Sequence, residues 1–148
     1  MAIEVRILGA GELGVLTDIE VGVFDDPICV PSAQTFLEDP RHRLAVAICD
    51  GRVVGFASAV IYVHPDKRQP ELWINELGVT AEHRRQGIGT RLLQTILESG
   101  RSAQCSEAWV LTERTNAPAM SLYSGSGGVP EQHDQVMFTF TLASERNA

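Results

Sequence analysis

The sequence predicts an α/β domain, a mixed and mainly antiparallel central sheet flanked by helices. Three observations carry that expectation. Ile3, Val5 and Ile7 alternate with Glu4 and Arg6, the two-residue period of a half-buried strand. Two apolar runs flank Asp50-Gly51, the strongest short hairpin signal in the chain. Ile88, Leu92, Leu93, Ile96 and Leu97 then recur at helical spacing directly after a basic, glycine-containing loop.

In chain order, Gly9-Ala10-Gly11 ends the opening strand, and Leu13, Leu16, Ile19, Val23 and Phe24 follow helical spacing. Asp25-Asp26-Pro27 stops that helix, since proline cannot continue one. Pro31-Ser32 begins a second helix, with Ser32 as the expected N-cap over Ala33 to Glu38. Arg43 to Cys49 and Val53 to Val63 form the hairpin, and Gly55 marks a bulge or a close backbone approach. Glu71 to Val79 is a third consecutive antiparallel strand. The central helix runs from Ile88 to Glu98, with Gly100 expected just past its end. Glu107 to Thr112 is the next strand. Ala117 to Tyr123 is helical, with Pro118 tolerated in the first turn. Last, Val136, Phe138, Phe140 and Leu142 alternate within Gln135 to Leu142, the pattern of a closing strand with one buried face. The expected order is βααβββαβαβ, a single domain over residues 1–148 without linker or repeat.

Composition narrows the function classes. A chain of 148 residues can bury one substantial core, and 44% hydrophobic with 21% charged residues is ordinary for a globular domain. No run approaches the roughly 18 apolar residues of a membrane span. The opening residues lack the basic-then-apolar layout of a signal peptide, so a cytoplasmic location is the default expectation. The net charge of −7 weighs against nucleic-acid binding and suits a cationic substrate. Cys29, Cys49 and Cys105 form neither a disulfide framework nor, with His42, His64, His83 and His133, a metal-ligand spacing. No metal is expected.

Chemistry concentrates in Glu76 to Leu93. An apolar strand leads to Arg84-Arg85-Gln86-Gly87-Ile88-Gly89 and then to the amphipathic helix. Glycines let backbone N–H groups approach an anion, and a helix start adds unpaired donors and the positive dipole end. The loop fails the dinucleotide fingerprint G-x-G-x-x-G, and it lacks the lysine of a P-loop.

With an arginine, a glycine three residues on and a second glycine two residues after that (Arg84, Gly87, Gly89), the loop resembles that of the GNAT superfamily of N-acyltransferases, whose pattern is [Q/R]-x-x-G-x-[G/A]. Asn116 after the fifth strand and Leu122-Tyr123 with Gly127 extend the resemblance over nearly the whole chain. The resemblance implies acetyl-coenzyme A as co-substrate. Arg84, Arg85, Gln86, Gly87, Ile88, Gly89 and Thr90 would hold its pyrophosphate, and Leu77, Gly78 and Val79 would pair with its pantetheine arm between splayed strands. Asn116 would cap the last helix or contact that arm. Amides facing the thioester carbonyl would stabilise developing negative charge. Tyr123 would act as general acid toward the departing thiolate, its phenol being of comparable acidity to a thiol. The attacking amine must be neutral, and Glu76 is the expected base, ahead of Glu71 and Glu113. Strand parity puts Glu76 on the face of Leu72 and Ile74, among apolar residues. Homodimers are a family expectation.

The segment Glu71-Leu72-Trp73-Ile74-Asn75-Glu76-Leu77 is similar to E-I-Y-I-Y-D-L of the type I aminoglycoside 3-N-acetyltransferases. Phe24-Asp25-Asp26-Pro27 and Leu122-Tyr123-Ser124-Gly125-Ser126-Gly127 resemble the same group. The departures are glutamate in place of aspartate at position 76, and Gly125 and Gly128 where that group carries larger residues. This implies acetyl transfer to an aminoglycoside, a polyamine sugar, with Asp25, Asp26, Glu131 and Asp134 expected around the same cleft as Glu76. A protein N-terminus, a lysine or a small polyamine is the alternative acceptor. A non-catalytic coenzyme A-binding sensor is the alternative of another class.

Overall fold

The computed structural model describes residues 2–143. One five-stranded sheet runs in sequence order, β1 (Ile3–Ile7), β2 (His42–Cys49), β3 (Arg52–Tyr62), β4 (Glu71–Val79) and β5 (Ala108–Val110). The first four strands are antiparallel, and β5 pairs parallel to β4. The helices are α1 (Val30–Glu38), α2 (Ile88–Ser102) and α3 (Ala117–Gly125). The hairpin turn between β2 and β3 has positive φ at Asp50 (51°) and Gly51 (80°), the conformation that an Asp-Gly pair adopts readily.

The sheet divides two cores. On its back, α2 buries Ile88, Leu92, Leu93 and Ile96 against Ala45, Ala57, Leu72 and Ile74. Each fully buried Leu or Ile is worth roughly 1.5–3 kcal/mol, so the apolar stripe rather than helix propensity holds α2 in place. Gly100 does not end the helix. It is buried inside α2, where a Cβ would come within 2.9 Å of Leu72 Cδ2, so its bareness allows the closest helix–sheet approach. On the front, Leu16, Val23, Leu44, Val46, Val53 and Phe56 form the second core, covered by residues 13–28 and α1.

Three expected elements differ. Leu13 to Phe24 is not a helix; only Leu13–Thr17 makes a short 3₁₀ turn. The chain is instead drawn to the sheet, where Val53 N donates to Asp18 O (2.9 Å) and Glu20 N to Val53 O (2.8 Å), and Ile19 bridges Val53. Arg52 fixes this strap through Asp18 and Glu20, each at 2.8 Å. Sheet pairing has outcompeted helical periodicity interrupted by Gly14 and Gly22. The second helix starts earlier than expected, with Cys29 rather than Ser32 at the N-cap. The closing strand Gln135 to Leu142 is not formed, and all its residues are exposed.

Candidate active site

The centre of the site is a break in the pleat of β4. Ser58 pairs with Glu76 and Ala59 with Ile74, leaving Asn75 as an extra, unpaired residue. Such a bulge reverses the alternation of everything beyond it. Leu72 and Ile74 face the back core before the bulge, and Leu77 and Val79 face it after. Glu76 is therefore turned to the front and exposed, not buried beside Leu72 and Ile74 as uninterrupted parity required.

Glu76 reaches a front cleft of about 330 Å³, whose wall also includes Asp25, Asp26, Phe24, Ser58 and Cys29. The strap holds this wall in place. Thr80 Oγ1 donates to Val21 O (3.1 Å), Phe24 stacks on Phe56 with centroids 4.0 Å apart, and Val23 O passes so close to Gly78 that a Cβ there would lie 2.7 Å away. A glycine at 78 is thus dictated by packing. Ser58 is only 8% exposed. Ser32 Oγ donates to Cys29 Sγ (3.2 Å), which lowers the thiol's pKa.

Asp25 and Asp26 thus share one cleft with Glu76, whereas Glu131 and Asp134 do not. These two line a separate, open depression with Arg114 and Val129, and Arg114 Nη2 donates to Glu131 O at 2.9 Å. The acidic ring expected from five residues is a group of three. Glu71, a weaker candidate base, is buried at the opposite end of β4 and bonded to His64. Its carboxyl also hydrogen-bonds Glu107, which raises the pKa of Glu107.

Behind β4 lies the loop of the anion-binding motif. A short turn at Ala81–His83 leads into residues 84–87, where Arg85 (φ 64°) and Gly87 (φ 77°) adopt left-handed backbone. Gly87 is the N-cap of α2, and no side chain caps this helix start. With no acidic residue in the first turn, the leading N–H groups of a fifteen-residue helix remain available to an anion. Donor chemistry and local geometry therefore fit a phosphate. Arg84 is committed differently, its Nε donating to Val79 O (3.1 Å) and tying the loop to β4. Arg85, Gln86, Thr90 and Arg91 are exposed.

Pairing between β4 and β5 covers only Leu72–Ile74 with Ala108–Val110, so beyond the bulge β4 has no β5 neighbour. The main chain of Leu77, Gly78 and Val79 consequently has one edge free of strand pairing. Tyr123 on α3 packs against the back core, as do Leu77, Val79 and Leu122. Burial raises the pKa of its phenol, which therefore keeps its proton well beyond neutral pH. Asn116 serves as the N-cap of α3, its side-chain oxygen accepting from Ala119 N at 3.2 Å. Among the described residues, no group of three metal-type ligands exists, and no helix is long and apolar enough to cross a membrane.

Sequence reasoning did not find Ser58, Cys29 or the bulge. The bulge did leave a trace. The apolar residues of β4 fall at 72, 74, 77 and 79, a phase slip of one residue centred on Asn75.

Comparison with known proteins identifies the family and the fold. The model of the acetyltransferase (GNAT) family matches residues 16–127. Human N-acetyltransferase 8 is 37% identical over 94 residues, which are 64% of this chain and 41% of that protein. The chain thus spans about two fifths of the length of the curated relatives it matches. Among solved structures, an aminoglycoside acetyltransferase from an uncultured soil metagenomic sample, in complex with sisomicin, superposes with a TM-score of 0.81 at 19% identity. That match covers 95% of this chain and 97% of the other. An aminoglycoside N-acetyltransferase, AAC(6')-Iy, in complex with CoA gives 0.71 at 21% identity, covering 96% of each chain. At such identities the likeness establishes the fold.

Proposed function

We propose, on the premise that this chain belongs to the acetyltransferase (GNAT) family, that it transfers an acetyl group from acetyl-coenzyme A to an amine of an aminoglycoside, at the 3-N position. The observation that carries the acceptor class is the front cleft, where Asp25, Asp26 and Glu76 meet on one wall. A polycationic sugar needs several carboxylates within reach of one another, and an acidic chain speeds its approach. The two aminoglycoside acetyltransferases of like fold support the acceptor class, while the 3-N position rests on the resemblance of residues 71–77 alone.

The helix start at Gly87 to Thr90 would hold the pyrophosphate, with Arg85 and Gln86 beside it, and the free edge of Leu77 to Val79 would take the pantetheine arm. Bound acetyl-coenzyme A supplies the acetyl thioester. Glu76, on the front, takes a proton from the acceptor's ammonium and leaves the nitrogen lone pair free to attack. Tyr123, on the back, would give its hydroxyl proton to the sulfur as the carbon–sulfur bond breaks, and the second proton that the nitrogen sheds on becoming an amide would restore the phenol. The two groups lie on opposite faces of β4, and the missing β5 pairing beyond Ile74 is the opening between those faces. Asn116 is occupied as a helix cap through its oxygen, which leaves its amide N–H groups for the cofactor arm.

The test is an acceptor panel: purified protein, acetyl-coenzyme A and thiol detection, with gentamicin-type aminoglycosides, peptides and polyamines in parallel. Thiol release with aminoglycosides and product acetylated at the 3-amine is expected. Turnover of peptides or polyamines alone would reassign the acceptor. Coenzyme A binding without thiol release on any amine would indicate a sensor.

A further inference from the structure

The chain has two tryptophans, and the fold brings them together. Trp73 on β4 and Trp109 on β5 are register partners, and their indoles stack with centroids 4.9 Å and planes 13° apart. Leu72 and Ile74 face the back core, so Trp73 between them faces the front. Trp109 is locked from beyond β4, its Nε1 donating to Tyr62 Oη at 3.0 Å. The bond satisfies the indole N–H and sets the stack before any ligand arrives. Tyr62 is the register partner of Glu71, so the ring of Trp109 crosses β4 at its Glu71 end. It therefore covers the Glu71-side face of Trp73 and leaves the Glu76-side face open. Trp73 is 37% exposed although its strand is paired on both sides here.

This indole ledge adjoins the candidate base. Trp73 pairs with Val60 and Glu76 with Ser58, and those partners are two residues apart on β3. The extra residue Asn75 lets Trp73 and Glu76 both project to the front, about 7 Å apart along the strand. Glu76 and Ser58 belong to the wall of the front cleft, and the ledge begins at the next pair. Pairing of β4 with β5 ends one residue beyond Trp73, at Ile74 with Val110, so the ledge also borders the opening between the two faces. At its foot the carboxyl groups of Glu71 and Glu107 hydrogen-bond each other, which adds negative charge near the rings.

We propose that the open face of Trp73 is a subsite for a second, ammonium-bearing sugar ring of the acceptor, occupied while an amine of the first ring is held at Glu76. An ammonium group within about 6 Å of an indole centroid is attracted to the ring face, more strongly than to tyrosine or phenylalanine. The C–H groups of a sugar ring pack against the same flat apolar surface. Adjacent rings of a glycoside are joined through one oxygen, a short link that suits neighbouring positions on one strand face. The inference rests on the aminoglycoside reading above and adds a preference to it, for acceptors of several rings over single-ring amines.

Because both tryptophans belong to the ledge, the intrinsic tryptophan fluorescence of the full chain reports on it alone. Titration with a gentamicin-type aminoglycoside should change the emission saturably and reduce its quenching by acrylamide. Its single central ring, 2-deoxystreptamine, should do neither. Trp73→Leu keeps apolar bulk and removes the ring face; it should raise the KM for the aminoglycoside about tenfold, and Trp73→Tyr should recover part of that loss. Emission already shielded from acrylamide in the free protein would mean that the chain itself covers the ledge and would overturn the subsite. So would an emission unmoved by the aminoglycoside, or thiol release by Trp73→Leu at the wild-type KM, and the latter result leaves the acceptor class standing. A saturable emission change without thiol release would do the reverse, upholding the subsite and removing the transferase reading.

Discussion

The two faces of β4 are built by different means. Behind it, the candidate cofactor site is a helix start and a strand edge, made of main-chain groups on regular elements. In front, the candidate acceptor site consists of side chains carried by an irregular strap and turned into place by one extra residue in β4. A backbone site recognises what every use of the cofactor has in common. A side-chain site on a strap can change its acceptor by substitution without disturbing the sheet. The difference teaches where specificity resides, and it makes the two faces separable by mutation.

The largest expected effect is at the front. Glu76→Gln should lower kcat/KM for the amine by about 10²–10⁴, the usual worth of a positioned base, while coenzyme A affinity is unchanged. Steady-state kinetics beside calorimetric titration of coenzyme A separates the two. Next, Tyr123→Phe should reduce kcat about 10²-fold without weakening either substrate. Because burial lifts the phenol above its ordinary value of 10.0, the wild-type rate should lose this acid only on the far alkaline side. A decline centred at neutral pH that disappears in the Phe variant would contradict that assignment.

Third comes the back face. Gly87 sits at φ 77°, so Gly87→Ala costs about 1–2 kcal/mol of backbone strain and should weaken coenzyme A binding roughly tenfold. Unchanged affinity would separate the loop from the cofactor. A smaller effect is expected for Asp25→Asn and Asp26→Asn, a several-fold rise in acceptor KM that added salt diminishes, with kcat unaltered. The smallest concerns the anchor of the front helix, where Arg41 hydrogen-bonds Asp39 and holds its carboxyl well below the usual range. A lowered folded-state pKa stabilises above the unfolded value of 3.8 and is lost as pH falls. Asp39→Asn should therefore lower the Tm slightly at neutral pH and leave it unchanged in strong acid.

What the sequence made legible follows the same division. The β2–β3 hairpin, β4 and the start of α2 were readable because each is specified locally, by Asp50-Gly51, by apolar alternation and by the helical stripe from Ile88 to Ile96. The basic, glycine-containing loop before α2 was readable for the same reason. The strap was not. Leu13 to Phe24 has helical spacing, but Asp18 to Glu20 pairs with Val53, a partner more than thirty residues away that no local pattern announces. Glu76, singled out from the sequence, lines the front cleft but was assigned to the wrong face, because a period-two reading cannot register one inserted residue. Glu131 and Asp134 were grouped with Asp25 by charge, although Arg114 keeps their loop in a separate depression. Residues 135–142 have the alternation of a strand, yet they form none and stay exposed, because a period-two pattern does not supply the neighbouring strand it needs.

The division of labour across β4 is tested most directly by comparing wild type and Glu76→Gln with acetyl-coenzyme A and a gentamicin-type aminoglycoside. Thiol release and the dissociation constant of coenzyme A are to be measured on the same preparations. The expected result is loss of thiol release by at least about 100-fold with an unchanged dissociation constant. Full turnover in the variant, or a loss that tracks weakened coenzyme A binding, would contradict the assignment of base and acceptor to the front face.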